Sequence, residues 1–271
     1  ITHTVASAAV FPRLIVDAGE NSQVTVVERF VSAAGDEQTL VVPVLQVRAA
    51  QAARVSYLAV NELDAAAWQI GNQQAVGETD SSITLATVAL GGHYARVRTE
   101  ARVAWPGAST RQVALYFAGG DQMHDFRTIQ DHDAPHTNSD LLFKGAVQDR
   151  ARSVYTGLIK IREHARGTAA FQTNRNLTLS EGAWAESVPN LEIKTNDVKC
   201  SHASTVGPID PEHRFYLESR GIPTTVAERL IVLGFFDEVL AQLPVGPLAD
   251  ALRRQVSDKL DLGRALTSGV A

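Results

Sequence analysis

The sequence predicts a mainly β fold that ends in an α-helical segment. Short runs rich in Val, Thr, Ile and aromatic residues occupy most of the first 200 of the 271 residues. Turn-forming Gly, Pro, Asn and Asp separate these runs. A helical spacing of apolar residues begins only after Pro208.

The predicted strands follow one another without long amphipathic helices between them. They cover residues 23–32, 41–47, 55–60, 82–90, 94–104 and 112–117. In the fourth run, Ile83, Leu85 and Thr87 alternate along one face, as in a half-buried strand. The stretch 61–68 is compatible with a short helix or with an irregular crossing between strands.

A weak repeat appears between residues 150 and 205. A turn residue is followed by Leu, any residue, and then Leu or Ile, with the first Leu at Leu158, Leu177 and Leu191. Each copy is too short to bury its own apolar face, so copies must stack. The uneven spacing of these three leucines fits the rungs of a parallel β-helix and fits an antiparallel sandwich nearly as well.

Three helices are predicted after Pro208. The first covers 212–220 and ends at Gly221. The second is capped by Thr224 or Thr225 and stops before Pro244, and the third covers 248–262. The second helix carries an apolar stripe of Ala227, Leu230, Ile231, Gly234, Phe235, Val239 and Leu240. Phe236 lies beside this stripe and is expected to be partly exposed. Core packing is the first interpretation for both Phe235 and Phe236, and a docking surface beside the acidic pair Asp237-Glu238 is the alternative.

Composition excludes several classes of protein. Net charge is −5 and Lys and Arg are dispersed, which argues against nucleic-acid binding. No apolar run reaches the roughly 18 residues of a membrane span. A single cysteine rules out an internal disulfide and fits a reducing cytoplasm. No Gly-Lys-Ser or Gly-Lys-Thr is present, so ATP chemistry would belong to a partner. Because Ile1 is not a natural start, we expect a preceding N-terminal portion.

Cys200 and His202 are the most informative pair in the chain. Thiolate and imidazole both bind soft or borderline metals. Residues i and i+2 of a strand face the same side, so the two side chains would project together. Two ligands do not complete a site. The pair is therefore either structural or one part of a site completed elsewhere, and a nucleophilic role for Cys200 has no flanking support.

A second polar cluster runs from Asp131 to His136, with His124 and Asp125 upstream. His132 and His136 are four residues apart, but Pro135 disfavours the helix that would bring them together. A polar turn between strands is the first interpretation, and a divalent metal site is the alternative.

Four segments together resemble the SufB/SufD family of iron–sulfur cluster assembly proteins. They are Phe171-Gln172-Thr173-Asn174-Arg175-Asn176-Leu177, Asn190-Leu191-Glu192-Ile193, Asp197-Val198-Lys199-Cys200-Ser201-His202 and Phe215-Tyr216-Leu217-Glu218-Ser219-Arg220-Gly221-Ile222. The likeness is strong over 140–245 and is closer to the SufD branch. It implies a right-handed parallel β-helix over 1–207 and a C-terminal α-helical segment over 208–271. By this resemblance, we expect the 271 residues to lack the family's N-terminal helical region.

The resemblance also implies a function and partners. Such a chain is a non-catalytic, cytoplasmic scaffold that pairs with SufB, and two copies of the ATPase SufC dock on the pair. No tightly bound cofactor is expected in the isolated chain, only transient iron or a nascent cluster in the complex with SufB. A homodimer that mimics the SufB pair is also expected in isolation, through an exposed β-helix end.

Individual residues take roles from the resemblance. His202 matches a histidine at the SufB–SufD interface that is implicated in iron handling, and Cys200 lies beside it. Ser180 stands where SufB has its scaffold cysteine, so SufB would supply the thiolate. The helix from Thr225 to Leu243 matches the SufC-contacting region. Its candidate contact residues are Thr225, Glu228, Phe235, Phe236 and Asp237.

Two other functions stay open at this point. One is a stand-alone metal-binding protein that uses His132, His136, Cys200 and His202. The other is a β-helix enzyme acting on polysaccharides. The enzyme is disfavoured because the basic residues of the repeat region, such as Lys160 and Lys194, have no acidic cluster beside them.

Overall fold

The computed structural model describes residues 1–6, 8–33 and 37–267, with side chains described as far as Asp261. Residues 7, 34–36 and 268–271 of the predicted segments 1–207 and 208–271 lie outside the described residues. The strands are β1 (Thr2–Val5), β2 (Ala9–Val10), β3 (Arg13–Ala18), β4 (Gln23–Ser32), β5 (Thr39–Val41), β6 (Val44–Ala49), β7 (Arg54–Glu62), β8 (Ala67–Gly77), β9 (Ser82–Ala89), β10 (Tyr94–Val103), β11 (Ser109–Ala118), β12 (Met123–His132), β13 (Asn138–Val147), β14 (Arg152–Ile161), β15 (Thr168–Thr178), β16 (Trp184–Ile193) and β17 (Val198–Gly207). The helices are α1 (Pro211–Glu218), α2 (Thr224–Leu240) and α3 (Gly246–Thr267).

The strands form two parallel sheets between which the chain alternates. The front sheet has the order β1-β4-β7-β9-β11-β13-β15-β17. The back sheet runs β16-β14-β12-β10-β8, and β8 pairs with both β5 and β6, which pair in turn with β2 and β3. Every ladder between described strands is parallel, for example β15 with β17. The predicted parallel β-helix is confirmed, and the antiparallel sandwich is wrong.

One coil of this β-helix contains a strand of each sheet. On the back sheet, Trp68 pairs with Tyr94 of the next coil, and Arg152 pairs in the same way with Trp184. The predicted repeat is therefore half a coil. Leu158 and Leu191 lie on the back sheet and Leu177 lies on the front sheet between them.

Left-handed backbone marks the same corner of six coils. A residue with positive φ stands one or two positions before six front-sheet strands: Asn21, Ala52, Asp80, Gly107, His136 and Gly167. These corners stack, because the N–H of Asp80 donates to Pro106 O (3.1 Å) and that of His136 donates to Arg166 O (2.8 Å) in the next coil. The opposite crossing at 61–68 is the irregular alternative, since only the turn from Leu63 to Ala66 separates β7 from β8.

The strand predictions need two corrections. The run 41–47 is two strands, β5 and β6, because Pro43 has no N–H to donate to a ladder. Asn176, the residue taken as the turn before Leu177 in the predicted repeat, lies within β15 and not at a turn. Asn176 points into the β-helix, where Tyr116 donates its hydroxyl to Asn176 Oδ1 (2.6 Å) and Asn174 Nδ2 donates to the Tyr116 hydroxyl oxygen (2.9 Å). Burial raises the pKa of Tyr116 well above its usual value.

The interior combines aromatic layers with polar side chains. Tyr116, Phe126, Phe143 and Tyr155 stack through successive coils with ring centroids 4.7 to 6.1 Å apart. Polar groups between them bond to one another, as Thr99 Oγ1 does to Gln73 Oε1 at 2.9 Å. Buried polar groups are stable when paired in this way.

Helices α2 and α3 cover the front sheet. Val232, Phe236 and Val239 of α2 pack with Leu115 and Phe117 of β11. The predicted stripe on α2 is therefore rotated, because Phe236 is 0% exposed whereas Leu230 is 46% exposed. The residue before α2 is Pro223, and no side chain caps that end, so the predicted threonine cap is wrong. None of the helices that the structure describes combines the length and apolar character of a membrane crossing.

Candidate functional site

Cys200 and His202 face the interior of the β-helix at its open C-terminal end. Both lie on β17, where Cys200 is in register with Ala170 and His202 with Gln172. Ala170 and Gln172 are buried inside the β-helix, and in-register neighbours of a parallel sheet share a face. Among the described strands, none pairs with the outer edge of β17. The two side chains therefore line the mouth of the interior.

Cys200 is the more enclosed member of the pair. It packs against Ile159, Ile161, Ala165 and Ala170. This burial raises the pKa of the Cys200 thiol. A thiol with a raised pKa is protonated at neutral pH and is a poor metal ligand until a cation or metal draws the proton away. Cys200 alone is thus a weak anchor for a metal.

His202 is exposed at the same mouth. The described residues hold no group of three or more His, Cys, Asp and Glu side chains placed to bind a metal ion. The pair therefore needs further ligands to form a metal site.

The terminal coil around this mouth exposes apolar side chains. They are Trp184, Val188, Leu191 and Ile193 of β16, and Val206 of β17. β16 and β17 are also the last described strands of their sheets. Unpaired strand edges with apolar side chains favour the addition of another chain's strands.

The 131–136 cluster is a structural corner. His132 is buried, and its two ring nitrogens bond to Thr137 Oγ1 (2.8 Å) and Ser139 Oγ (2.7 Å). Burial lowers the pKa of His132 to about 4. His136 is the left-handed corner residue of its coil. Its ring packs against Gly167, because a Cβ added to Gly167 would lie 2.5 Å from His136 Nδ1. The polar-turn interpretation is confirmed for residues 133–136, between β12 and β13, whereas Asp131 and His132 are the last residues of β12.

The acidic residues of that corner are already paired with arginines. Arg162 bonds to both oxygens of Asp131 (3.1 and 2.8 Å), and Asp133 pairs with Arg102. His132 lies on β12, separated from β16 by β14 in the back sheet, and Cys200 lies on β17 of the front sheet. The structure does not gather His132, His136, Cys200 and His202 into one site.

Thr225 lies on the outer side of the helical segment, and Glu228 is half-buried. Thr225 is exposed, and Arg214 of α1 contacts Glu228 at 3.4 Å. An apolar surface that was not predicted from the sequence lies beside Thr225: Phe215, Tyr216, Val226 and Leu230 are all exposed. Leu230 belongs to the stripe of α2 that is predicted to be buried, whereas Val226 lies outside that stripe.

The other three predicted contact residues differ in exposure. Phe236 is buried against Phe117, with ring centroids 6.1 Å apart, so the expectation that it is partly exposed is wrong. Phe235 is half-buried and lies 4.6 Å from the Lys144 ammonium group. Asp237 accepts two hydrogen bonds from Arg253 of α3, at 2.8 and 3.2 Å.

A buried lysine fixes α2 to the front sheet. Lys144 of β13 donates to the carbonyl oxygen of Phe235 (2.8 Å) and pairs with Glu238. The hydrogen bond from Lys144 lowers the pKa of Glu238. Sequence patterns did not identify Lys144, because a lone lysine in a strand is usually solvated.

A second, partly buried lysine fixes α3. Lys259 donates to the Leu90 carbonyl and to Gln122 Oε1, beside the buried His124. Burial lowers the pKa of Lys259 to about 7. Burial, followed by the nearby Lys259 cation, lowers the pKa of His124 to about 3. His124 is thus neutral at physiological pH, and its burial is that of a residue with a structural role.

Ser180 lies at a cleft between the β-helix and the helices. The backbone N–H of Asp149 donates to Ser180 Oγ at 2.9 Å. The cleft has a volume of about 340 Å³, and Arg214 and Glu228 line its helical side. The Ser180 hydroxyl oxygen is thus already a hydrogen-bond acceptor for the backbone of the turn at Asp149.

Comparison with known proteins identifies relatives over nearly the whole chain. The family model "SUF system FeS cluster assembly, SufBD core domain" matches residues 1–235. An iron–sulfur cluster assembly SufBD family protein of Mycobacterium tuberculosis is 40% identical over 191 residues, which are 68% of this chain and 48% of that protein. The SufD proteins of Escherichia coli and Bacillus subtilis are each 30% identical, over 91% and 90% of this chain and 58% and 56% of their own lengths. The chain spans about half the length of these relatives.

Proposed function

Because this chain belongs to the SufBD family of iron–sulfur cluster assembly proteins and is most like SufD, we propose that it is a non-catalytic scaffold of a cytoplasmic SUF complex. In this proposal it pairs with SufB, docks the ATPase SufC and presents His202 to iron where the two scaffolds meet. The observation that carries the proposal is the position of His202 at the mouth of the open terminal coil, among unpaired strand edges.

SufB pairs with the terminal coil in this proposal. The exposed apolar side chains of β16 and the free edge of β17 support such an interface. Leu191→Asp would place a charge among these side chains and should abolish co-purification with SufB. Ile70→Asp is a matched control, because Ile70 is similarly exposed on the back sheet, far from the terminal coil in sheet order. Retention of SufB by Leu191→Asp would contradict this interface. The same surface should give a homodimer when the chain is alone.

His202 contributes to the iron site in this proposal, and SufB supplies a thiolate. The raised pKa of the Cys200 thiol supports a lesser role for Cys200. Imidazole and thiolate together suit iron. A reconstituted complex with His202→Ala should assemble clusters at least ten-fold more slowly. His164→Ala is the control, since His164 is an exposed histidine at another coil turn. An unchanged rate with His202→Ala would refute the role.

SufC docks on the outer surface of α1 and α2 in this proposal. The exposed Phe215, Tyr216, Val226 and Leu230, next to Thr225, form an apolar surface of the kind that binds a partner. Leu230→Asp should release SufC while SufB stays bound, because Leu230 lies outside the packed face of α2. Loss of neither partner would contradict the docking surface.

Phe236 and Asp237 support that surface from within. Phe236 packs on the front sheet and Asp237 pairs with α3, so they fix the position of α2. Movement of the C-terminal helices on ATP binding by SufC would then reach the β-helix through α2 and α3. We expect Phe236→Ala to weaken SufC binding only indirectly, because α2 would lose its packing on the front sheet.

A further inference from the structure

Three buried glutamines lie inside the β-helix, and each has an amide oxygen without a partner. Gln112, Gln130 and Gln172 are 1%, 1% and 2% exposed. Within the part of the chain that the structure describes, the Oε1 atoms of all three lack a hydrogen-bond donor. Buried carbonyl oxygens are nearly always paired, so each of these oxygens points to a missing interaction.

Gln172 is the one that borders the candidate iron site. It is in register with His202 on the adjacent strand, and neighbouring strands lie about 4.8 Å apart. Its amide reaches across the interior to β14. A Cβ on Gly157 there would meet Gln172 Nε2 at 2.5 Å and Oε1 at 2.6 Å. The absence of a side chain at Gly157 thus makes room for this amide directly below the terminal coil.

Two other polar groups near Gln172 already have partners. Gln130 Nε2 donates to Ser139 Oγ (2.7 Å) and to the Phe171 carbonyl (3.3 Å). The Tyr155 hydroxyl bonds to Thr128 Oγ1 at 2.8 Å. His202 has a ring N–H on the adjacent residue of the ladder. Gln172 and His202 share the inward face, so rotation of the two side chains can bring this N–H to the Gln172 oxygen.

We propose that Gln172 Oε1 accepts a hydrogen bond from one ring N–H of His202 and so directs the other ring nitrogen out of the mouth of the β-helix. This inference rests on the proposed function for its purpose, since a metal-binding histidine usually donates its second N–H to a fixed acceptor. That bond selects one tautomer and leaves the other nitrogen free for iron. Gln172 is thus a positioning residue for His202.

The tautomer of His202 is the direct readout. In the ¹⁵N-labelled isolated chain, long-range ¹H–¹⁵N spectra at a pH where imidazole is neutral should show a single tautomer. Gln172→Glu keeps an acceptor oxygen and should keep that tautomer. Gln172→Leu removes it and should give the tautomer mixture of a free imidazole. His202→Ala assigns the signals.

Gln112→Leu is the matched control. Gln112 is equally buried and has the same free oxygen, but Leu141 separates it from Gln172 in the ladder. The Gln112→Leu substitution should leave the ring-nitrogen signals of His202 unchanged. A tautomer mixture in the wild-type chain overturns the proposal without any variant, and so does an unchanged single tautomer in Gln172→Leu.

Activity supplies a second and separate test. In the complex with SufB and SufC, Gln172→Leu should slow cluster assembly about ten-fold, the usual effect of losing a histidine's acceptor. Gln172→Glu should restore the rate. The tautomer measurement needs neither SufB nor iron. A failure there counts against Gln172 alone, whereas a normal rate with His202→Ala counts against the proposed function.

Discussion

Lys259 should make the stability of this protein rise with pH. The pKa of its ammonium group falls from 10.5 to about 7 in the folded chain because of burial. Between pH 7 and 10 the unfolded chain therefore binds more protons than the folded chain, and the free energy of unfolding increases with pH. The facing groups are His124 of β12, Gln122, the Leu90 carbonyl and the Phe117 ring, with Asp149 as the nearby carboxylate that raises the pKa.

The magnitude follows from the size of the shift. Lowering the pKa of Lys259 from 10.5 to about 7 costs roughly 5 kcal/mol of unfolding free energy at a pH where Lys259 is protonated in both the folded and the unfolded chain. Most of that cost remains at pH 7. About 2 kcal/mol of it is recovered by pH 9. Lys259→Met removes the titrating group and should lose this pH dependence.

Urea unfolding of the wild type and Lys259→Met at pH 7 and pH 9 measures the effect. The stability difference between the two proteins should change by about 2 kcal/mol between these pH values, in favour of the wild type at pH 9. Lys199→Met is the control, because Lys199 is exposed on β17. Parallel pH profiles for wild type and Lys259→Met would refute the account of Lys259 as a buried, charge-bearing anchor.

Three further substitutions test the packing of the helices and the interior. Phe236→Ala should cost about 3–5 kcal/mol of unfolding free energy and Phe235→Ala clearly less, because only Phe236 is fully buried; equal losses in urea unfolding would contradict the orientation of α2. Gly145→Ala should destabilise by about 1–3 kcal/mol or more, because the added Cβ collides with the Tyr116 ring; a wild-type melting temperature would argue against that contact. Lys144→Met should cost about 1–3 kcal/mol and increase amide hydrogen exchange in α2, since it removes the bond to the Phe235 carbonyl; unchanged exchange would show that α2 is held by apolar packing alone.

Strands β4 and β10 could be predicted from the sequence because their inward and outward residues alternate simply. The predicted run 23–32 coincides with β4, and 94–104 ends one residue beyond β10. β12 escaped prediction for a physical reason. Its inward positions include His124, Thr128 and Gln130, which are buried but polar, so the strand has no apolar alternation to detect.

The helix α2 shows a different limit. Its apolar residues lie on all sides, as Leu230, Phe235 and Phe236 show, so period alone does not choose which of them is buried. Packing against Phe117 decides in favour of Phe236. At the candidate site, the joint orientation of Cys200 and His202 followed from strand geometry. The proposed bond between Gln172 and His202 could not be predicted in this way. It depends on the register between β15 and β17, and the whole of β16 lies between these two strands in the sequence.

The stacked left-handed corners have a consequence for how such chains can be recombined. Each corner precedes a front-sheet strand by one or two residues, whether the corner residue is Asp80, Gly107 or Gly167. A chimera that joins the sequences of two relatives at this corner would exchange whole coils, and the side chains that face the interior would still face it. A crossover within a strand that changed its length by one residue would turn the following row inside out. The corner is thus the natural joint for building chimeras that swap one terminal coil, with its His202, for another.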